Sequence, residues 1–192
     1  SSVTGVQTCA LPISDRINID RLLSNLSRVL KDQYYQLFNA KIWDDDVVNG
    51  TSNKLCFYRK FKSDYKLEEY LKHVNNFQQR RTFTKLRLSN HCLRIETGRY
   101  CHENRNERIC QLCNLSSIES ESHFILYCPA YEQLRSNFSK VMAKLVYNFE
   151  SLSSVNKLKY IIDPPSKEIA RESAFFVSEC FKWRKRKLHT CI

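Results

Sequence analysis

Glycine and proline are scarce in this chain, whose 192 residues include only three glycines and four prolines. Tight turns between many short strands depend on these two residues, so their scarcity argues against an all-β architecture. Leu, Lys, Arg, Glu and Ser are plentiful, and most of these are residues that helices accept at little cost. We therefore predict a mainly α fold, a helical bundle-like domain.

Long apolar runs are missing as well. No stretch approaches the roughly 20 uninterrupted apolar residues of a membrane-spanning helix, and the N-terminal residues do not follow the pattern of a secretory signal. The sequence also has no Gly-rich phosphate loop and no GxSxG nucleophile elbow. We expect an intracellular protein that has no membrane partner and is not an enzyme.

Acidic residues are outnumbered by basic ones, 20 Asp plus Glu against 31 Lys plus Arg, which gives a formal net charge of +11. Such an excess favours polyanionic partners, here RNA and/or DNA. Two basic clusters lie on predicted helices and supply the expected phosphate contacts. These residues are Arg80, Arg81, Lys85, Arg87, Arg99, Lys182, Arg184, Lys185, Arg186 and Lys187.

Apolar residues recur at steps of three and four along most of the chain, as they do on one face of a helix. This period is lost within residues 95–100 and again within residues 109–115. The sequence of these two segments indicates a bend, a knuckle and a small β-hairpin. The predicted helices cover residues 18–38, 55–61, 67–74, 77–89, 123–128, 131–149 and 155–162, and a last helix follows Pro165.

Nine cysteines are present, and they are unevenly distributed along the chain. Their number is odd, so they cannot all be paired. Four metal-ligating residues within 108–130 follow the pattern CxxC-x9-HxxxxC. They are Cys110, Cys113, His123 and Cys128. A CxxC turn places two thiolates on one side of a tetrahedral zinc ion, and a later His and Cys can complete the coordination shell.

A zinc ion with four protein ligands has no position for an activated water molecule, so the pattern predicts structural zinc and no catalytic residue. Cys101 and His102 lie just upstream, and either could replace one of the four ligands. The alternative to nucleic-acid binding is a zinc-stabilised protein-interaction or purely structural module, in which the positive charge serves solubility alone.

The first fourteen residues differ in character from the rest. Residues 3–13 read VTGVQTCALPI, which resembles the in-frame translation of a common sequencing adaptor. We expect residues 1–14 to be an artefactual extension. The helical zinc-binding domain is then expected to span residues 15–192.

Several longer strings resemble the C-terminal tail of animal non-LTR retrotransposon reverse transcriptases. They are KLRLSNHCLRIETGR at 85–99, ERICQLC, ESHFILYCPAY and, upstream, FYRKFKSDYKLEEYL. The resemblance covers the chain from about residue 15 to its end. It implies that Arg87, His91, Glu96, Gly98 and Arg99 belong to a motif that precedes the zinc knuckle.

The same resemblance implies a function. In this family the tail is expected to help the polymerase hold template RNA or target DNA, in the nucleus and/or cytoplasm. The palm aspartates and the endonuclease domain of such proteins do not occur in this chain, so it is expected to lack polymerase activity. A non-functional remnant of such an element is a further alternative. The sequence does not indicate an oligomeric state.

Overall fold

A computed structural model of the protein describes residues 19–44, 53–62 and 65–188. The chain divides into two compact units, Ser1–Lys41 and Ile42–Ile192. The described residues are mainly helical, which confirms the predicted fold class. The proposed boundary after residue 14 lies outside the described residues.

The first helix, α1, spans Ile19–Trp43. Its prediction from the apolar repeat is confirmed, and the helix continues beyond residue 38. The apolar side chains that produced the repeat are largely exposed, as Leu22 and Leu26 show with 54% and 55% of their surface accessible.

Six further α-helices lie in the second unit. They are α2 (Glu69–His73), α3 (Phe77–Arg87), α4 (Arg94–Tyr100), α5 (Glu132–Leu145), α6 (Ser154–Ile162) and α7 (Lys167–Leu188). Short 3₁₀ turns occur at Lys54–Cys56, Tyr58–Lys60, Arg105–Glu107, Pro129–Tyr131 and Phe149–Ser151. Among the described helices, none combines the length and apolar character needed to cross a bilayer.

Polar side chains fix where several of these helices begin. The side chain of Asn76 accepts a hydrogen bond from the Gln79 amide at the start of α3, and Ser153 does the same for Asn156 at the start of α6. Such caps satisfy amides that have no partner within the helix and stabilise it by about 1 kcal/mol each.

Helix α7 is the centre of the second unit, because α2, α3, α5 and α6 all pack against it. Its buried face includes Phe176, Val177 and Cys180. The ring of Phe176 stacks on Phe138 of α5 with 4.5 Å between centroids. The predicted apolar stripe on this last helix is therefore the main contact surface of the core.

The segment 95–100 was predicted to lose the helical period, and that prediction is wrong, because it forms most of α4. Gly98 does not bend the chain. A Cβ atom at this position would lie 2.5 Å from Glu103 Oε2 and 2.7 Å from Arg108 Cγ, so the glycine allows these side chains to cross the helix closely. Within the described residues, the predicted hairpin is reduced to one antiparallel bridge between Ile109 and Ile118.

Candidate metal centre

The four predicted metal ligands come together in the structure. The ligand atoms of Cys110, Cys113, His123 and Cys128 all lie within 4.8 Å of one another. Cys110 Sγ is 3.8 Å from Cys128 Sγ, and Cys113 Sγ is 3.4 Å from His123 Nε2. The sulfur–sulfur distance is far longer than the roughly 2.05 Å of a disulfide. The cluster can hold a metal ion.

A short loop carries the first two ligands. The amide of Cys110 donates to the Ser117 carbonyl at 2.9 Å, and the amide of Glu119 donates to the Arg108 carbonyl at 2.9 Å. These two bonds close the loop at its base. Ser116, near the tip, has a φ of 49°, a conformation that turns the chain sharply. The closed loop directs both thiols to the same side.

A π-helical segment, His123–Tyr127, carries His123, and Cys128 follows directly as its C-cap. The Cys128 amide donates to the His123 carbonyl at 2.8 Å, a bond between residues five apart that defines this helix type. In an α-helix, side chains five residues apart lie about 140° from each other around the axis. The wider turn brings His123 and Cys128 to one face, so the HxxxxC spacing and the local backbone agree.

The segment that carries His123 is anchored to the core through Phe124, which is 1% exposed. Its ring contacts Tyr131 at 4.8 Å and Phe181 of α7 at 4.7 Å between centroids. Aromatic pairs at such distances add specific stabilisation to the burial of apolar surface. Phe124 therefore connects the cluster residue His123 to the central helix α7.

Glu119 is a buried carboxylate beside the cluster that the sequence analysis did not identify. It is 1% exposed, accepts a hydrogen bond from the Arg94 amide at 2.7 Å, and receives one from Arg184 Nη1 of α7. Its Oε1 also lies 3.7 Å from Cys110 Sγ. One carboxylate thus connects a cluster ligand, the start of α4 and the central helix.

The surroundings shift the pKa values of the cluster residues in different directions, and a hydrogen bond with Cys128 together with burial raises the pKa of the Cys110 thiol. Burial lowers the pKa of His123, and the positive charge of Arg135 adds to that shift, so the imidazole is held in the neutral form that binds metals. A hydrogen bond with Cys110 lowers the pKa of the Cys128 thiol. Burial raises the pKa of Glu119, and the charge of Arg184 opposes that rise.

The alternative ligands are not part of the cluster. Cys101 and His102 are both exposed, and neither belongs to the group of residues whose ligand atoms converge. His102 adopts a φ of 56° in the turn that follows α4. The sequence had left the choice between these residues and the four others open.

Two residues predicted to contact phosphate are in the interior, and for them the prediction is wrong. Arg87 is 1% exposed and lies 2.7 Å from Glu68, while Arg184 is 3% exposed and bonded to Glu119. A guanidinium group that is buried against a carboxylate has no surface to offer a nucleic acid. Both arginines therefore have structural roles.

The other basic residues predicted to contact phosphate differ in whether they form contacts within the protein. Lys182 forms an ion pair with Glu179 at 2.7 Å, Arg99 lies 3.5 Å from Glu96, and Arg80 donates to the Val74 carbonyl at 3.0 Å. Arg81, Lys185, Arg186 and Lys187 are exposed and Lys85 is half-buried.

Two residues of the motif implied by the retrotransposon resemblance, His91 and Glu96, contribute internal contacts. His91 Nε2 lies 3.2 Å from Glu121 Oε1, and that carboxylate also accepts from the Ser89 hydroxyl at 3.0 Å. Burial of Glu96, the largest influence on this group, raises its pKa. The contact between His91 and Glu121 holds the segment between α3 and α4 against the knuckle.

Three thiols and one imidazole can surround a metal ion completely, which is the arrangement of a structural site. The position of the cluster between the loop, the π-helical segment and α7 would allow a bound ion to fix three parts of the fold together. No family model, curated protein or solved structure matches this chain.

Proposed function

We propose that this chain is a nucleic-acid-binding domain stabilised by one structural zinc ion, and that it is a tail fragment of a non-LTR retrotransposon reverse transcriptase. The observation that carries the proposal is the closed Cys3His cluster inside a domain of net charge +11. The strings between residues 57 and 131 that resemble the retrotransposon tail support its origin. The domain has no polymerase activity of its own and assists engagement of template RNA or target DNA.

Zinc is the ion that the donor set favours, because soft thiolates with one imidazole in a tetrahedral arrangement are typical of it. Zinc–sulfur bonds of about 2.3 Å at tetrahedral angles place two sulfur atoms about 3.7 Å apart. The distance between Cys110 Sγ and Cys128 Sγ, 3.8 Å, supports this assignment. With all four positions filled by protein, the ion serves the fold and not hydrolysis.

A protein-interaction module is the second candidate. The exposed apolar side chains of α1, among them Leu22, Leu23 and Leu26, favour it, since clustered exposed apolar residues often mark binding surfaces. The two candidates share the structural zinc and differ in the partner. Direct measurement of nucleic-acid binding therefore decides between them.

The test uses the full chain and two matched variants, Cys113→Ser and Cys56→Ser. Both cysteines are half-buried free thiols, but only Cys113 belongs to the cluster. Zinc content is measured by elemental analysis, folding by circular dichroism, and affinity for labelled RNA and DNA by fluorescence anisotropy between 50 and 200 mM salt, the range in which phosphate contacts weaken steeply.

We expect about one zinc ion per chain in the unmodified protein and in Cys56→Ser, and a salt-sensitive affinity for nucleic acid in both. Cys113→Ser should lose the ion and, with it, both ordered structure around the knuckle and binding, because metal-binding free energy contributes to folding. A chain that binds zinc but no nucleic acid would favour the interaction module, and a chain without zinc would refute the central proposal.

A further inference from the structure

A basic groove lies between α3 and α7. It brings together residues from the two basic clusters, which lie far apart in the sequence. Its volume is about 520 Å³. The cationic side chains that line it are Arg81 and Lys85 of α3 and Lys185 of α7. Residues 81 and 185 are more than one hundred positions apart in the sequence, so only the packing of α3 on α7 creates this site.

The described residues do not neutralise the three cations of the groove. No ion pair of Arg81, Lys85 or Lys185 occurs in the part of the chain that the structure describes. The sequence gives the reason on both sides, since neither residues 70–95 nor residues 180–192 contain an Asp or a Glu. These three charges therefore remain available to an external anion.

The carboxylate of Glu121, which contacts the lining residue His91, is engaged by other side chains. Glu121 is buried and receives hydrogen bonds from Ser89 and His91. The neutral residues around the cations are Gln78, Thr82 and Asn90, whose side chains can donate hydrogen bonds to anionic oxygens. The lining thus combines positive charge with neutral donors, which is the chemistry that phosphate binding requires.

The floor of the groove offers no open aromatic face. Phe181 is 5% exposed, and the His91 side chain is 1% exposed and bonded to Glu121. Stacking of bases requires an accessible ring, so the groove is suited to phosphates and not to bases. Arg81 and Lys85 lie one turn apart on α3, about 6 Å along its axis, so they can contact different phosphates of one strand.

We propose that the groove lined by Arg81, Lys85 and Lys185 binds the sugar–phosphate backbone of a nucleic acid without reading its sequence. This inference rests on the proposed function, because it identifies the surface by which the domain holds nucleic acid. The buried Arg87 and Arg184 contribute no phosphate contact.

The test compares two triple variants that each remove three positive charges. Arg81→Gln/Lys85→Gln/Lys185→Gln alters the groove, and Lys140→Gln/Lys144→Gln/Lys159→Gln removes three exposed lysines outside it. Both are measured against the unmodified chain with single-stranded RNA and DNA oligonucleotides of several sequences and with anionic phospholipid vesicles. Zinc content and melting temperature are recorded for every protein.

Each lost single-strand phosphate contact lowers the salt slope by about 0.7. Loss of three contacts should reduce the affinity ratio between 50 and 200 mM salt about 20-fold in the groove variant, with zinc content and melting temperature unchanged. The control variant should retain most of the slope. Oligonucleotides of different sequence should bind the unmodified chain equally well.

Equal loss in the two triple variants would overturn the groove proposal, because general charge would then explain binding. Normal binding by the groove variant would overturn it too while leaving the proposed nucleic-acid function intact. A strong preference for one base sequence, or binding to vesicles in place of oligonucleotides, would also contradict it. Absence of nucleic-acid binding by the unmodified chain would refute both the function and the groove.

Discussion

Arg184 and Lys185 are adjacent in α7 and carry the same charge. Substitution of Arg184 is expected to lower the stability of the fold, whereas substitution of Lys185 is expected to weaken nucleic-acid binding. Successive residues of a helix are about 100° apart around its axis. As a result, Arg184 points into the core against Glu119 while Lys185 lines the groove. The matched variants are Arg184→Met and Lys185→Met, each of which removes one positive charge and keeps a long side chain.

The structure sets the expected magnitude for Arg184→Met. The side chains of Arg184 and Glu119 are 3% and 1% exposed, and removing one partner of a buried pair costs about 3–5 kcal/mol because the other charge is left without a partner. For a chain of this size that corresponds to a fall in melting temperature of about 6–20 °C. Lys185→Met should change stability by less than about 0.5 kcal/mol but should weaken nucleic-acid binding.

Urea unfolding gives the free energies, and a double-mutant cycle identifies the cause. Adding Glu119→Gln to Arg184→Met neutralises the stranded carboxylate and should recover part of the lost stability. If the two substitutions are additive, the ion pair has no coupling energy and the reasoning fails. A stable Arg184→Met variant with a reduced salt slope would show that Arg184 contacts phosphate after all.

Two further outcomes follow from local geometry and protonation. Gly98→Ala should lower the free energy of unfolding by about 1–2 kcal/mol. The reason is that crowding against Arg108 costs more than the roughly 1 kcal/mol that alanine gains in a helix. Urea unfolding measures this free energy, and an unchanged or higher stability would contradict the prediction. The buried His123 has a lowered pKa, so the unfolded chain binds its proton first as pH falls, and stability should decline from about pH 6.5 downward to the lowered folded pKa. Melting temperatures between pH 5 and 8 test this, and a stability that stays constant or rises as the pH falls through that range would contradict it.

The metal cluster was predictable from sequence because its members obey short-range spacing rules. Cys110 and Cys113 share one turn, and Cys128 caps the π-helical segment that begins at His123, so each pair is close before any tertiary contact forms. The helices α3, α5 and α7 were predictable for a similar reason, since each carries an apolar face of the right period. Local rules were sufficient where both partners lie within a few residues.

The errors at Arg87 and Arg184 came from long-range pairs. Arg87 belongs to a basic stretch that looks like a surface, yet its acidic partner Glu68 lies nineteen residues earlier. Arg184 is separated from Glu119 by sixty-five residues. Periodicity along a helix cannot identify such partners, because a charged residue on the inner face becomes tolerable only when another element delivers the opposite charge.

Glu119 illustrates the same limit at the metal centre. Its place in the knuckle sequence, between Ile118 and Ser120, resembles that of any exposed acidic residue in a loop. The structure makes it the connection between Cys110 and Arg184. Outer partners of this kind orient metal ligands and support their basicity. Because α7 supplies both the guanidinium that holds Glu119 and, one residue later, a cation of the groove, the helix that supports the candidate metal cluster also positions the proposed phosphate-binding surface.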